Sequence, residues 1–322
     1  MATKSVLRKA VRCMRRFVRR FGAPGLGMSL RYLPLELNLG SASNVTLKIP
    51  GAVGSIQLRK GTSDKDVFFQ VFLIREYDFE GVPQYARLKS IYERDLAANE
   101  TPLIVDCGAN IGLTSIWFAL KFPRSCIYAI EPDAGNFAML RANTGNYPNI
   151  VAVHAAIWDH HADNLAIVNP AAPATFYQVA ESEGLRSDGV PAYTVPEIMR
   201  MAGASRILLA KIDIEGGEHA LFRSNTEWLE NTAAVAIELH DWLLPGTASS
   251  RNFLVALTKH PFEVAWHNGT MFCIKLPGHE SAQRGGVANA SSVETRNGEA
   301  SPNGPNLANA LSQNQRDHIG TS

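Results

Sequence analysis

Residues 106–112 read DCGANIG, with an acid, an amide and two glycines between the apolar run PLIV and the helical pattern LTSIWFALKF. That is the composition of a turn taking a strand into a helix. Gly108 and Gly112 let backbone approach a ligand closely, or let helix pack on strand. The helix that follows offers free N–H groups to an anionic group. Glycine used for turn geometry alone is the plainer alternative. The G-x-G-x-x-G spacing is absent, since the segment reads Gly108-Ala109-Asn110-Ile111-Gly112. A cradle for a dinucleotide pyrophosphate is therefore disfavoured.

A second acid narrows the choice. CIYAIEPD (126–133) ends an apolar run on Glu131, followed by Pro132 and Asp133, and lies twenty-five positions after Asp106. At the tip of the neighbouring strand a carboxylate can accept hydrogen bonds from both hydroxyls of a ribose. A solvated acid at a strand end explains Glu131 alone about as well, but not Glu131 together with DCGANIG. AAIWD (155–159) closes the third apolar run, where an adenine ring would lie. Ile157 and Trp158 either contact its face or belong to the core.

These residues need a scaffold whose strand ends meet. VTLKI and SIQLR flank PGAVG and predict a hairpin. SDKDVFFQVFLI predicts a helix capped by Ser63, and PQYARLKSIYERDLAAN a second one. LIVDCGA, CIYAIEP, IVAVHAAIW, RILLAKIDIEG and TAAVAIELH read as strands. Between and after them LTSIWFALKF, AGNFAMLRANTG, PEIMRMAG, EHALFRS and SSRNFLVALTKH read as helices. FEVAWHN and TMFCIKL form a closing strand pair, while 160–195 is irregular. Alternating strands and helices imply an α/β fold: a doubly wound, mostly parallel sheet with helices on both faces.

Composition sets the limits. With 46% hydrophobic and 19% charged residues, most of the 322-residue chain can bury a core. A net charge of +1 gives no general signal for nucleic acid, and none is expected as a partner. Cys13, Cys107, Cys126 and Cys273 show no metal or disulfide spacing, which suits a reducing, cytoplasmic setting. No apolar run is long enough to span a bilayer.

The ends differ from the middle. Residues 1–35 carry nine Lys and Arg and no acid before Glu36. Leu7, Val11, Met14, Val18 and Phe21 recur at helical spacing, predicting a basic amphipathic segment over 1–40. It reads as a helix packed on the main domain, as a peripheral contact of residues 4–21 with an anionic membrane, or as a cleaved presequence. Residues 278–322 lack aromatics and are rich in Ser, Asn, Gly and Ala, so a disordered polar tail is expected. The folded body should then span 41–277.

VDCGANIGLTS, AIEPDAGNFAMLRAN and LAKIDIEGGEHALF together resemble the FkbM family of S-adenosylmethionine-dependent methyltransferases. RKGTSDKDVFFQVFLIREYDF and VAIELHDWLLPG resemble its flanks, so the likeness covers about 55–275, with a core of about 100–270. The first motif is shared by many methyltransferases, and KIDIEGGE is the family-specific part. The resemblance implies a seven-stranded Rossmann-like sheet whose last strand is antiparallel. It also implies O-methylation of a hydroxyl on a sugar, glycan or secondary metabolite. Asp106 and Asn110 would face the cofactor's amino group or a bound water, and Gly108, with Ala109 and Gly112, its backbone contact. Glu131 would hold the ribose, Asp133 the adenine edge beside Pro132, and Asp213 would lie near the sulfonium. Thr114 and Ser115 would reach the carboxylate, although helix capping explains them equally well.

A hydroxyl acceptor needs a base. Asp213, Glu215, Glu238 and His240 are the candidates at strand tips, His240 having the most suitable intrinsic pKa. Asp213, Glu215 and Glu238 could instead hold a divalent ion; their spacing does not decide this, and no metal is predicted. Lys211 is expected to point away or to pair with a carboxylate. A nicotinamide oxidoreductase and a non-catalytic scaffold are the alternatives; the first lacks its glycine motif here, and the second has no reason to keep Gly108 and Glu131.

Overall fold

The computed structural model describes residues 2–38, 43–167, 179–181, 189–243 and 245–279. Nearly all of the polar tail therefore lies outside the described residues, as do 168–178 and 182–188. Helices α1 (Ala2–Phe21) and α2 (Ala23–Glu36) come first, then the antiparallel hairpin of β1 (Asn44–Leu47) and β2 (Ile56–Arg59). Helix α3 (Asp64–Phe68) runs on as a π-helical segment, Phe69–Ile74. The cap expected at Ser63 does not form, and its hydroxyl makes no hydrogen bond. Asp64 is buried instead against Arg59, whose guanidinium lies 2.8 Å from its carboxylate.

The basic helix α1 packs into the same core. Phe17 is fully buried, stacked on Phe68 with centroids 5.8 Å apart and also touching Tyr32. The buried stripe runs through Cys13 and Phe17, whereas Leu7 and Val18 of the expected stripe are 65% and 42% exposed. One residue turns a helix by about 100°, so seating the largest side chain, Phe17, swings Val18 outward.

The central layer follows in order: α4 (Tyr85–Ala97), β3 (Leu103–Cys107), α5 (Leu113–Lys121), β4 (Cys126–Glu131), α6 (Ala134–Thr144) and β5 (Ile150–His154). The single strand expected over IVAVHAAIW is broken. After Ala155 the chain leaves the main sheet as β6 (Ala156–Ile157) and enters a small sheet with β7 (Ala162–Ile167), β8 (Val179–Glu181) and β9 (Val190–Tyr193), in the order β6-β9-β7-β8. The segment expected to be irregular thus folds in part. Helix α7 (Val195–Met201), started by a Thr194–Glu197 capping box, precedes β10 (Ile207–Ile212), α8 (Glu218–Leu221), β11 (Thr232–Ile237), α9 (Arg251–Leu257), β12 (Phe262–His267) and β13 (Thr270–Lys275).

The seven-stranded sheet has the order β12-β13-β11-β10-β3-β4-β5, parallel except for the last strand, β13, which is antiparallel to both neighbours. This is the fold class expected. Alternate residues feed the two faces: Ile104 joins the core with α1–α5, while Leu103, Val105 and Cys107 join the core with α7 and α9. Strand order reverses between β3 and β10, the switch point where such sheets open a crevice beyond their carboxyl ends.

Candidate functional site

A cavity of about 430 Å³ opens beyond β3, β4, β10 and β11, walled by Val67, Val71 and Tyr77 on one side and Ile157 and Trp158 on another. Its polar floor comes from three places: the tip of β4, the facing tips of β3 and β10, and the end of β11. At the end of β4, Glu131 is 5% exposed, and its two oxygens accept hydrogen bonds from the backbone N–H groups of Asn110 (2.8 Å) and Asp133 (2.9 Å). Asn110 reaches this position in the left-handed region (φ 50°), where its own Oδ1 accepts from Ile111 N–H. Burial pushes the Glu131 carboxyl up to about 7, partly offset by those two backbone donors. Trp158 adds an indole N–H that is buried without a hydrogen bond.

The second floor region is ionic. Lys211 on β10 is fully buried opposite Asp106 on β3, with its ammonium 3.3 Å from Asp106 and 3.5 Å from Asp213. It also donates to the carbonyls of Gly108 (2.7 Å) and Cys107 (3.2 Å). Burial works against its charge, but Asp213 and Asp106 hold its pKa above the ordinary value. Of its two expected placements Lys211 takes the second, pairing with carboxylates, and so joins the two strand tips. Tyr77 donates its hydroxyl to Asp213 at 3.3 Å.

His240 follows β11 and is 1% exposed. Its Nδ1 lies 2.9 Å from the buried Glu218, while Nε2 faces Glu215 (3.4 Å), Asp213 (3.7 Å) and Glu238 (3.9 Å). Burial disfavours the imidazolium, yet the Glu218 bond and the surrounding carboxylates raise the pKa to about 9. The raised pKa favours the imidazolium near neutral pH, unlike the free base its intrinsic pKa suggests. Burial and then Asp213 raise Glu215 to about 8, so it too holds its proton near neutral pH and can accept one only where it is ionised; its Oε2, 3.4 Å from His240, is buried without a hydrogen bond. Its backbone is left-handed (φ 53°), a conformation costly for a residue with a Cβ.

Of the expected residues, Gly108, Asn110, Thr114, Glu131, Pro132, Ile157, Asp213, Glu215 and His240 line the cavity. Asp106, Ala109, Gly112, Ser115 and Asp133 stand behind it. Asp106 accepts from Ser115 Oγ at 2.6 Å, so this pair ties β3 to α5. Asp133 caps α6 by accepting from Asn136 N–H. At Gly112 a side chain would strike Leu140 and Thr144, a packing need. At Gly108 (φ 76°) a Cβ would lie 1.9 Å from the Asp213 carbonyl, so glycine lets the two tips touch. Sequence reasoning missed Tyr77 and Glu218. Tyr77 sits in REYDF, a segment with no periodic signal, and Glu218 reads as an ordinary first-turn acid.

Residues 106–260 match the model of the methyltransferase FkbM domain, the family that the sequence resembles. The chain thus contains a methyltransferase domain. The AMB antimetabolite synthetase AmbE of Pseudomonas aeruginosa is 26% identical over 227 residues, a match covering 58% of this chain and 11% of that relative's length. A putative caffeoyl-CoA O-methyltransferase from Staphylococcus aureus (11% identity, 59% of this chain and 83% of that chain, TM-score 0.34) is a distant structural likeness. Another is M. jannaschii TYW2 in complex with AdoMet (12%, 73% and 85%, TM-score 0.29). At these scores neither carries an argument.

Proposed function

We propose that this domain binds S-adenosylmethionine and methylates a hydroxyl of a small-molecule or glycan acceptor. The observation that carries the reading is Glu131, a buried carboxylate fixed by two backbone N–H groups at the tip of the second strand of the sheet. Ionised, it can accept both ribose hydroxyls. Ile157 and Trp158 would flank the adenine, Gly108, Asn110 and Thr114 would hold the amino-acid end, and Asp213 would face the positive sulfur.

S-adenosylmethionine supplies an electrophilic methyl on a sulfonium. The protein's part is to align the acceptor oxygen with it and to take the proton as the O–C bond forms. Glu215, which lines the cavity, is the proton acceptor on this reading in its ionised form, favoured above about pH 8. His240, oriented by Glu218, offsets the repulsion among the neighbouring carboxylates. Calorimetry with S-adenosylhomocysteine should give micromolar binding, and NADH none; the reverse result overturns the proposal.

The same reading includes a membrane contact through α1. Exposed Leu7 and Val18 lie beside exposed Arg8, Arg12, Arg15 and Arg19, with no acid in the first 35 residues. Such a face suits an anionic bilayer, each basic residue adding about 1 kcal/mol near the surface. Among the described residues no helix is long and apolar enough to cross one. Sedimentation with phosphatidylserine vesicles should retain the protein at low salt and release it at high salt. Equal retention by neutral vesicles removes the contact.

A further inference from the structure

We infer that Asp213, Glu238 and His240 form a site for one divalent transition-metal ion at the acceptor end of the cavity. One donor atom from each lies within 4.8 Å of the others. The side chains come from the tips of adjacent parallel strands, β10 and β11, so the sheet itself sets their spacing. Nε2 of His240 stands 3.7 Å from Asp213 and 3.9 Å from Glu238, too far to hydrogen-bond either. Donors around one ion with bonds of about 2.1 Å are about 3 Å apart at right angles and about 4.2 Å apart when opposed. Both separations from Nε2 fall between these, and the third is no more than 4.8 Å, so small side-chain rotations admit an ion.

An acidic cluster alone would not justify this, but the histidine is an independent pointer. It is 1% exposed, and among the described residues its Nε2 makes no hydrogen bond, facing only carboxylates, the nearest being Glu215 at 3.4 Å. Its other nitrogen is held by Glu218, itself fully buried, at 2.9 Å. A carboxylate behind one imidazole nitrogen, turning the other toward a cavity, is the arrangement that orients metal-binding histidines. Two carboxylates and one imidazole suit Mn²⁺, Fe²⁺ or Zn²⁺ better than the all-oxygen preference of Ca²⁺. Such an ion would relieve the repulsion among the carboxylates of Asp213, Glu215 and Glu238, which Lys211 and His240 offset in part.

The site's role in catalysis rests on the proposed function; its existence does not. Bound there, the ion would take the acceptor oxygen as a ligand and lower the pKa of its hydroxyl. The hydroxyl proton then passes to Glu215, the oxygen takes the methyl group, and the sulfonium leaves as the neutral thioether.

The test uses the full-length chain, stripped with chelator and titrated with Mn²⁺ while free Mn²⁺ is followed by electron paramagnetic resonance. One ion per chain is expected, with affinity at least ten-fold lower in Glu238→Gln and in His240→Gln, and unchanged in Glu80→Gln, an exposed acid elsewhere. Circular dichroism melts check that each variant folds; if Glu238→Gln does not, His240→Gln decides. No saturable Mn²⁺ site, or the same affinity in a folded His240→Gln, overturns the inference. S-adenosylhomocysteine calorimetry on the same proteins separates the outcomes: Mn²⁺ binding without it would leave the metal site standing and sink the methyltransferase reading.

Discussion

Replacing Glu131 with Gln should remove a pH dependence from nucleoside binding as well as weaken it. Burial holds this carboxyl at about 7 in the free protein. Ribose hydroxyls donating to both oxygens favour the ionised form and should pull its pKa well below that value. With a free-state pKa of 7, about one carboxyl in eleven is ionised at pH 6 and about ten in eleven at pH 8. The affinity for S-adenosylhomocysteine should therefore rise about ten-fold between these pH values, with close to one proton released at pH 6. Gln cannot ionise, and one of the N–H groups of Asn110 and Asp133 would meet its amide –NH₂. Affinity at pH 8 should fall by about 1–3 kcal/mol, or roughly 5- to 150-fold. Calorimetry in two buffers of different ionisation enthalpy reads both quantities. A wild-type affinity that stays flat from pH 6 to 8, or a Glu131→Gln protein that keeps the full slope, would refute the reasoning. Stability carries the opposite sign: the native state keeps a proton on Glu131 that the unfolded chain sheds above about 4.5, so this group's contribution is lost as pH rises toward 7.

Other expectations follow from particular contacts. Glu215→Gln should lower turnover by about 10²–10⁴ while leaving S-adenosylhomocysteine affinity near wild type, and an equal loss of both would remove its role as base. Gly108→Ala must displace the Asp213 carbonyl from a 1.9 Å overlap and adopt a left-handed backbone, so urea unfolding should show a loss of at least about 2 kcal/mol. Phe17→Ala should cost about 3–5 kcal/mol and Leu7→Ala less than about 0.5, because only the first is buried. Equal effects would mean that α1 is not seated on the core in solution.

Much of the architecture was legible in the sequence because it depends on local pattern. Alternating β-rich and helical runs dictate a parallel sheet, and glycine and carboxylate at strand ends mark its working edge. DCGANIG and IEPD identified two of the three places that floor the cavity, and IDIEGGE with IELH the third. What the sequence left open depends on contacts between distant segments. Whether Asp106 faces a ligand or Lys211 is decided by the register that sets β3 beside β10. Asp133 accepts from Asn136 N–H because the first turn of its own helix offers a donor with no intrahelical partner. The protonation of His240 follows from four carboxylates drawn from three segments, and no intrinsic pKa contains that sum. Residue type and spacing therefore determined the fold and the sheet edge at which chemistry can occur. Burial and the local field, which exist only once the chain has closed, decided how its acids are paired and which of them hold a proton there.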